Sequence, residues 1–142
     1  MAYLLIVDDD ADFASAMDAV LRSEGYETGI ETDCEKTIDR IRERRPDAVI
    51  LDVMFPENDK AGFQLARSIR RMFGELPLLL VTAVKQSFLL GFSSRDLHPA
   101  WLPAAGFVEK PVDFSLLCKM VSDILARAKG IAQQSLRSQG DG

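Results

Sequence analysis

Short, wholly apolar runs alternate along this chain with longer stretches in which apolar residues recur every three or four positions. Leu4-Leu5-Ile6-Val7, Ala48-Val49-Ile50-Leu51, Leu78-Leu79-Leu80-Val81 and Phe107-Val108 have strand character. The four-residue runs are apolar at every position, as in strands covered on both faces, and their alternation with helical stretches predicts a parallel sheet between two helical layers. Tyr26 to Ile30 adds a second, more polar strand.

The helical stretches have readable starts and stops. Phe13, Met17, Val20 and Leu21 define a first helix that runs as far as Glu24 and stops at Gly25. Thr32 and Glu35 form a capping box opening a second helix, which turns Ile38 and Ile41 inward and ends before Pro46. A loop with Pro56, Glu57, Asn58 and Asp59 precedes a third helix from about Gly62 to Phe73. Asp113 caps a last helix carrying Phe114, Leu117, Val121, Ile124 and Leu125, which ends near Gly130. Between Val84 and Ala105, Gly91, Ser93, Ser94, Pro99 and Pro103 interrupt the pattern, so a fourth helix there is short or distorted and an irregular loop follows. One domain over residues 1–130 with a polar, flexible tail over 131–142 accounts for the chain of 142 residues.

Polar chemistry sits where the apolar runs end. The first run leads into Asp8, Asp9 and Asp10, the next into Asp52, then Thr82, then Glu109 and Lys110. In an open parallel sheet the carboxyl ends of the strands share one edge, where such folds keep their ligand crevice. Carboxylates, a hydroxyl and an ammonium gathered there suit a divalent cation and a phosphoryl group. Mg²⁺ takes one or two carboxylates and phosphate oxygens, Lys110 supplies a point charge, and Thr82 supplies a donor. A carboxylate oxygen of Asp52 is then placed to attack phosphorus in line and form an aspartyl phosphate.

Composition narrows the classes. A formal net charge of −5 argues against direct nucleic-acid binding, which demands clustered Lys and Arg. Cys34 and Cys118 have no metal-ligand spacing and read as reduced, mostly buried small hydrophobes. No basic segment followed by a long apolar one opens the chain, and no run approaches membrane-spanning length, so a cytoplasmic location and no membrane association are expected.

The ordered set from Tyr3 to Lys129 resembles the receiver domains of bacterial two-component response regulators: an acidic pair, then Asp52, then Thr82, then Lys110-Pro111. The resemblance implies a flavodoxin-like doubly wound five-stranded sheet of order 2-1-3-4-5, with helices on both faces. It implies Asp52 as phosphoacceptor and Asp9, Asp52 and the Met54 backbone carbonyl as ligands of Mg²⁺ or Mn²⁺, with Asp8 contributing directly or through water. By the same resemblance Thr82 follows the phosphoryl group, Lys110 pairs with it, Phe107 changes rotamer, and the Lys110-Pro111 peptide is cis. A histidine kinase or phosphotransfer protein would be the donor. The output would be an unknown downstream protein or a missing effector domain, with a homodimer possible.

Two features depart from the family pattern. Asp59 and Gly62 are separated by Lys60 and Ala61, which lengthens the loop beside the site, and the stretch between Thr82 and Lys110 is longer than usual. Each residue also has a plainer reading. The Asp triplet alone reads as a helix N-cap, Asp52 as a strand-ending turn residue, and Lys110 as a solvated charge. His98 reads as a loop residue, Trp101 as a flank cover or partner anchor, and Arg40 to Arg45 and Arg67 to Arg71 as solvated helix faces. Two other functions compete. One is a haloacid-dehalogenase-type phosphatase with Asp8 as nucleophile and Asp10 as acid/base, although Ala11 stands where that family has Thr or Val. The other is a degenerate receiver that binds partners without phosphorylation. Flavin binding fits poorly, because the first loop is acidic where a phosphate cradle needs Gly, Ser and Thr.

Overall fold

The computed structural model describes residues 2–53, 59–82, 106–109 and 112–140, with side chains over 2–52, 64–81, 108 and 112–128. Five parallel strands, β1 (Tyr3–Val7), β2 (Glu27–Glu31), β3 (Ala48–Val53), β4 (Leu78–Thr82) and β5 (Gly106–Glu109), lie in the order β2-β1-β3-β4-β5. Helices α1 (Ala11–Ser23), α2 (Thr37–Glu43) and α3 (Asp59–Phe73) and a C-terminal helix (Phe114–Gly140) connect and follow them. This is the expected flavodoxin-like order. The expected short fourth helix and the stretch from Gly91 to Ala105 lie outside the described residues.

The pleat explains why the runs are apolar throughout. Successive side chains point to opposite faces, so Leu4, Ile6, Ala48, Ile50, Leu79 and Val81 meet Met17 and Leu21 of α1 and Leu117, Val121 and Ile124 of the C-terminal helix. The intervening Leu5, Val7, Val49, Leu51, Leu78 and Leu80 meet Ile41 of α2 and Leu65, Ala66 and Ile69 of α3. Both faces are buried, and in β3 and β4 the polar residues, Asp52 and Thr82, come only in the last two positions.

Several boundaries differ from the sequence expectation. Asp33, not Thr32, caps the turn after β2: its carboxylate accepts the Glu35 N–H at 2.8 Å and opens a 3-10 turn over Cys34–Lys36 before α2. Helix α3 starts at Asp59, within the stretch read as loop. The C-terminal helix runs to Gly140 instead of ending near Gly130, because an isolated glycine costs only about 1 kcal/mol in a helix and no proline enforces a stop. Cys34 is exposed and Cys118 half-buried, so burial does not account for Cys34.

The Arg40 to Arg45 run is not merely solvated. Arg44 makes two bonds of 2.7 and 2.6 Å to the Glu27 carboxylate, lies 3.9 Å over the Tyr3 ring, and holds the Glu27 carboxyl below its ordinary pKa. Arg45 donates to the Phe73 carbonyl at the end of α3. Gly74, with φ +60, turns the chain after that helix where an L side chain would be strained.

Leu80 is fully buried in the central sheet. Leu80→Ala is expected to cost about 2–5 kcal/mol of unfolding free energy, read from the urea midpoint at unchanged slope.

Candidate functional site

The site arises where β1 and β3 end side by side. Their register pairs Val7 with Leu51, so the next residues, Asp8 just past β1 and Asp52 in the penultimate position of β3, are neighbours. Asp8 is 1% exposed and Asp52 7%, so both carboxylates lie at the upper limit of the core. Asp9, in the loop that follows β1, is exposed. Carboxylate oxygens of Asp8, Asp9 and Asp52 all lie within 4.8 Å of one another.

Local hydrogen bonding divides the work of the three consecutive aspartates. Asp8 Oδ1 accepts the Asp10 N–H at 2.9 Å, and the Asp8 N–H donates to the Glu31 carbonyl at 3.0 Å, which fixes Asp8 between two turns. Asp10 turns away as the N-cap of α1, its Oδ1 accepting the Asp12 and Phe13 N–H groups, each at 3.1 Å. The plain N-cap reading therefore holds for Asp10, while Asp8 and Asp9 join Asp52.

Two charges 4.8 Å apart repel by about 3 kcal/mol at an effective dielectric of 20, less where solvent reaches Asp9. A donor set of three hard carboxylates, two of them buried, matches what Mg²⁺ or Mn²⁺ takes, with water and phosphate oxygens completing the shell. The residues present therefore fit a hard divalent cation.

Thr82 ends β4, its backbone paired with Val53 on one side and Glu109 of β5 on the other, so it belongs to the same carboxyl edge. Phe107 lies in the backbone of β5, paired with Leu80. Met54, Lys110 and Pro111, and with them the expected carbonyl ligand, the ammonium and the cis peptide, lie outside the described residues.

The sequence does not single out Glu31, and Cys34 reads there only as a mostly buried small hydrophobe. Glu31 ends β2 just as Asp8 follows β1, and it obeys the same rule of a polar residue after a strand-forming run. Cys34 sits close by: partial desolvation first, then the charges of Asp9, Asp33, Asp52 and Glu31, push its thiol pKa up. No motif signals Cys34, whereas the strand-end rule could have found Glu31.

Among the described residues no helix is long and apolar enough to cross a membrane. With the fold and this edge in view, the family match is direct: residues 4–122 match the response regulator receiver domain, and the chain belongs to that family. It is a regulatory domain of two-component signalling, a class whose partners are histidine kinases. Among its relatives are the transcriptional regulatory protein AfsQ1 of Streptomyces coelicolor, 31% identical over 91% of this chain and 53% of the relative, and the response regulator MprA of Mycolicibacterium vanbaalenii, 30% identical over 98% and 54%. The chain thus spans about half the length of these curated relatives. A solved structure described as a response regulator from Chloroflexus aurantiacus superimposes with a TM-score of 0.70 at 34% identity, over 88% of this chain and 98% of that one. NtrX from Brucella abortus gives a TM-score of 0.81 at 25% identity, over 99% of this chain and 30% of that one.

The divided roles predict opposite effects from adjacent substitutions. Asp10→Ala is expected to lower stability by about 1 kcal/mol through loss of the cap. Asp9→Asn, in chelator at low salt, is expected to raise it by up to about 1 kcal/mol by relieving repulsion. Urea unfolding measures both, and only the Asp9 effect should shrink with added salt.

Proposed function

We propose that this receiver domain accepts a phosphoryl group on Asp52 in a divalent-cation-dependent reaction, from a histidine kinase or a phosphotransfer protein. The observation that carries this reading is the convergence of the Asp8, Asp9 and Asp52 carboxylates within 4.8 Å at the carboxyl edge of the sheet. Asp52 is the member that continues the central strand β3, so a rigid, fully packed element aims it.

In the reaction an Asp52 carboxylate oxygen attacks phosphorus in line. The new O–P bond forms as the P–N bond to the donor histidine breaks, and the electron pair of that bond returns to the imidazole nitrogen. Asp8 and Asp9, together with Asp52 and the Met54 carbonyl, would hold Mg²⁺. Once bound, Mg²⁺ supplies positive charge that offsets both the carboxylate repulsion and the charge on the phosphoryl oxygens. Lys110 would take another phosphoryl oxygen as an ion pair. Thr82 would donate its hydroxyl after transfer, and Phe107 would change rotamer as Thr82 moves.

The output goes to a further domain or a separate protein rather than to nucleic acid through this segment, given its net charge of −5. A donor charged by ATP implies a cytoplasmic setting. The phosphatase alternative needs Asp10 as acid/base, yet Asp10 is engaged as the N-cap of α1.

Phosphotransfer with Mg²⁺ to wild type and Asp52→Asn tests the reading, with size analysis of the labelled form to detect self-association. Wild type should label and Asp52→Asn should lose stable label. Undiminished label on the variant, or label mapped to Asp8, refutes Asp52 as acceptor. If neither a small phosphodonor nor beryllofluoride with Mg²⁺ alters the wild type, it acts as a phosphorylation-independent binding module.

A further inference from the structure

Beside the cluster, at the end of β2, lies a partly buried ion pair that the proposed reaction does not use. Glu31 is 8% exposed, and its backbone carbonyl accepts the Asp8 N–H at 3.0 Å, so the end of β2 is tied to the backbone of Asp8. Its Oε2 accepts the Asp33 N–H at 3.0 Å, and its Oε1 faces Arg40 Nη1 at 3.7 Å. The same Arg40 nitrogen donates to the Ile30 carbonyl at 3.3 Å, which lays the guanidinium along the end of β2.

The strand is shaped to receive that guanidinium. A Cβ on Gly29 would lie 3.0 Å from Arg40 Nη2 and 2.6 Å from the Tyr3 hydroxyl, so a residue without a side chain lets both lie across β2.

We propose that the Glu31–Arg40 pair tunes the divalent-cation affinity of the carboxylate cluster through space, Glu31 strengthening the negative field and Arg40 trimming it. The inference rests on the reading of Asp8, Asp9 and Asp52 as a cation site. A pair that merely braced the turn would weaken the site whichever partner were lost. A pair that tunes it gives opposite signs: removing Glu31 leaves an uncompensated cation beside the cluster, and removing Arg40 leaves an uncompensated anion.

Mg²⁺ titration by calorimetry of wild type, Glu31→Gln, Arg40→Gln and the double variant separates these cases. Gln at position 31 keeps an acceptor for the Asp33 N–H, and Arg40→Met is the second charge-removing variant if Arg40→Gln does not fold. The Kd should rise about threefold in Glu31→Gln, fall about threefold in Arg40→Gln, and return close to wild type in the double variant, with differences that shrink at high salt. Shifts of the same sign, or none, in a wild-type background that binds Mg²⁺ overturn the role of the pair alone. A wild type that takes up no Mg²⁺ overturns the cation-site reading and the pair's role with it.

Discussion

The parallel register of β1 against β3 is the constraint on which the rest of the structure depends. It aligns Leu4 with Ala48 and Val7 with Leu51, so one more residue on each strand brings Asp8 and Asp52 together at the edge of the core. Placing two carboxylates there, with Asp9 within 4.8 Å of both, opposes folding through repulsion and desolvation. Every other feature of the sheet works in the opposite direction. Apolar side chains fill both faces of β1, β3 and β4, and their burial holds the register that forces the charges into proximity.

The turns around the edge then assign each acidic residue a distinct task. Backbone hydrogen bonds pin Asp8 between the Asp10 N–H and the Glu31 carbonyl, while Asp10 spends its carboxylate on the first turn of α1. Asp33 caps the 3-10 turn after β2, and Glu31 folds back on the Asp33 N–H and Arg40. The site is thus a set of strand-end carboxylates graded by their partners. The carboxylates of Asp10 and Asp33 build the turns, and those of Asp8, Asp9 and Asp52 converge to within 4.8 Å of one another.

This arrangement suits a switch. Charge repulsion at the edge is local, whereas the apolar layers that oppose it extend across both faces of the sheet. The β2 end is tied to Asp8 by backbone and to α2 by Arg40, which gives a change at the cluster a direct physical route to one flank of the sheet.

Much of this was legible in the residue order alone. Four-residue apolar runs separated by helical periods point to a parallel sheet covered on both faces, because each run needs cover on two sides and the helices between the runs supply it. Polar residues ending those runs must then meet at one edge, which is how Asp8, Asp9, Asp52 and Thr82 could be singled out before any coordinates. Other features depend on contacts between residues distant in sequence or on competition among neighbouring caps. The choice of Asp33 over Thr32 and the exposure of Cys34 are of that kind. So is the pairing of Arg40 with Glu31, since an arginine in a basic helical run carries no mark of the carboxylate it will meet. Periodicity is a property of the chain and can be read from it; the partner of a charged side chain is a property of the packed fold, and only the tertiary structure decides it.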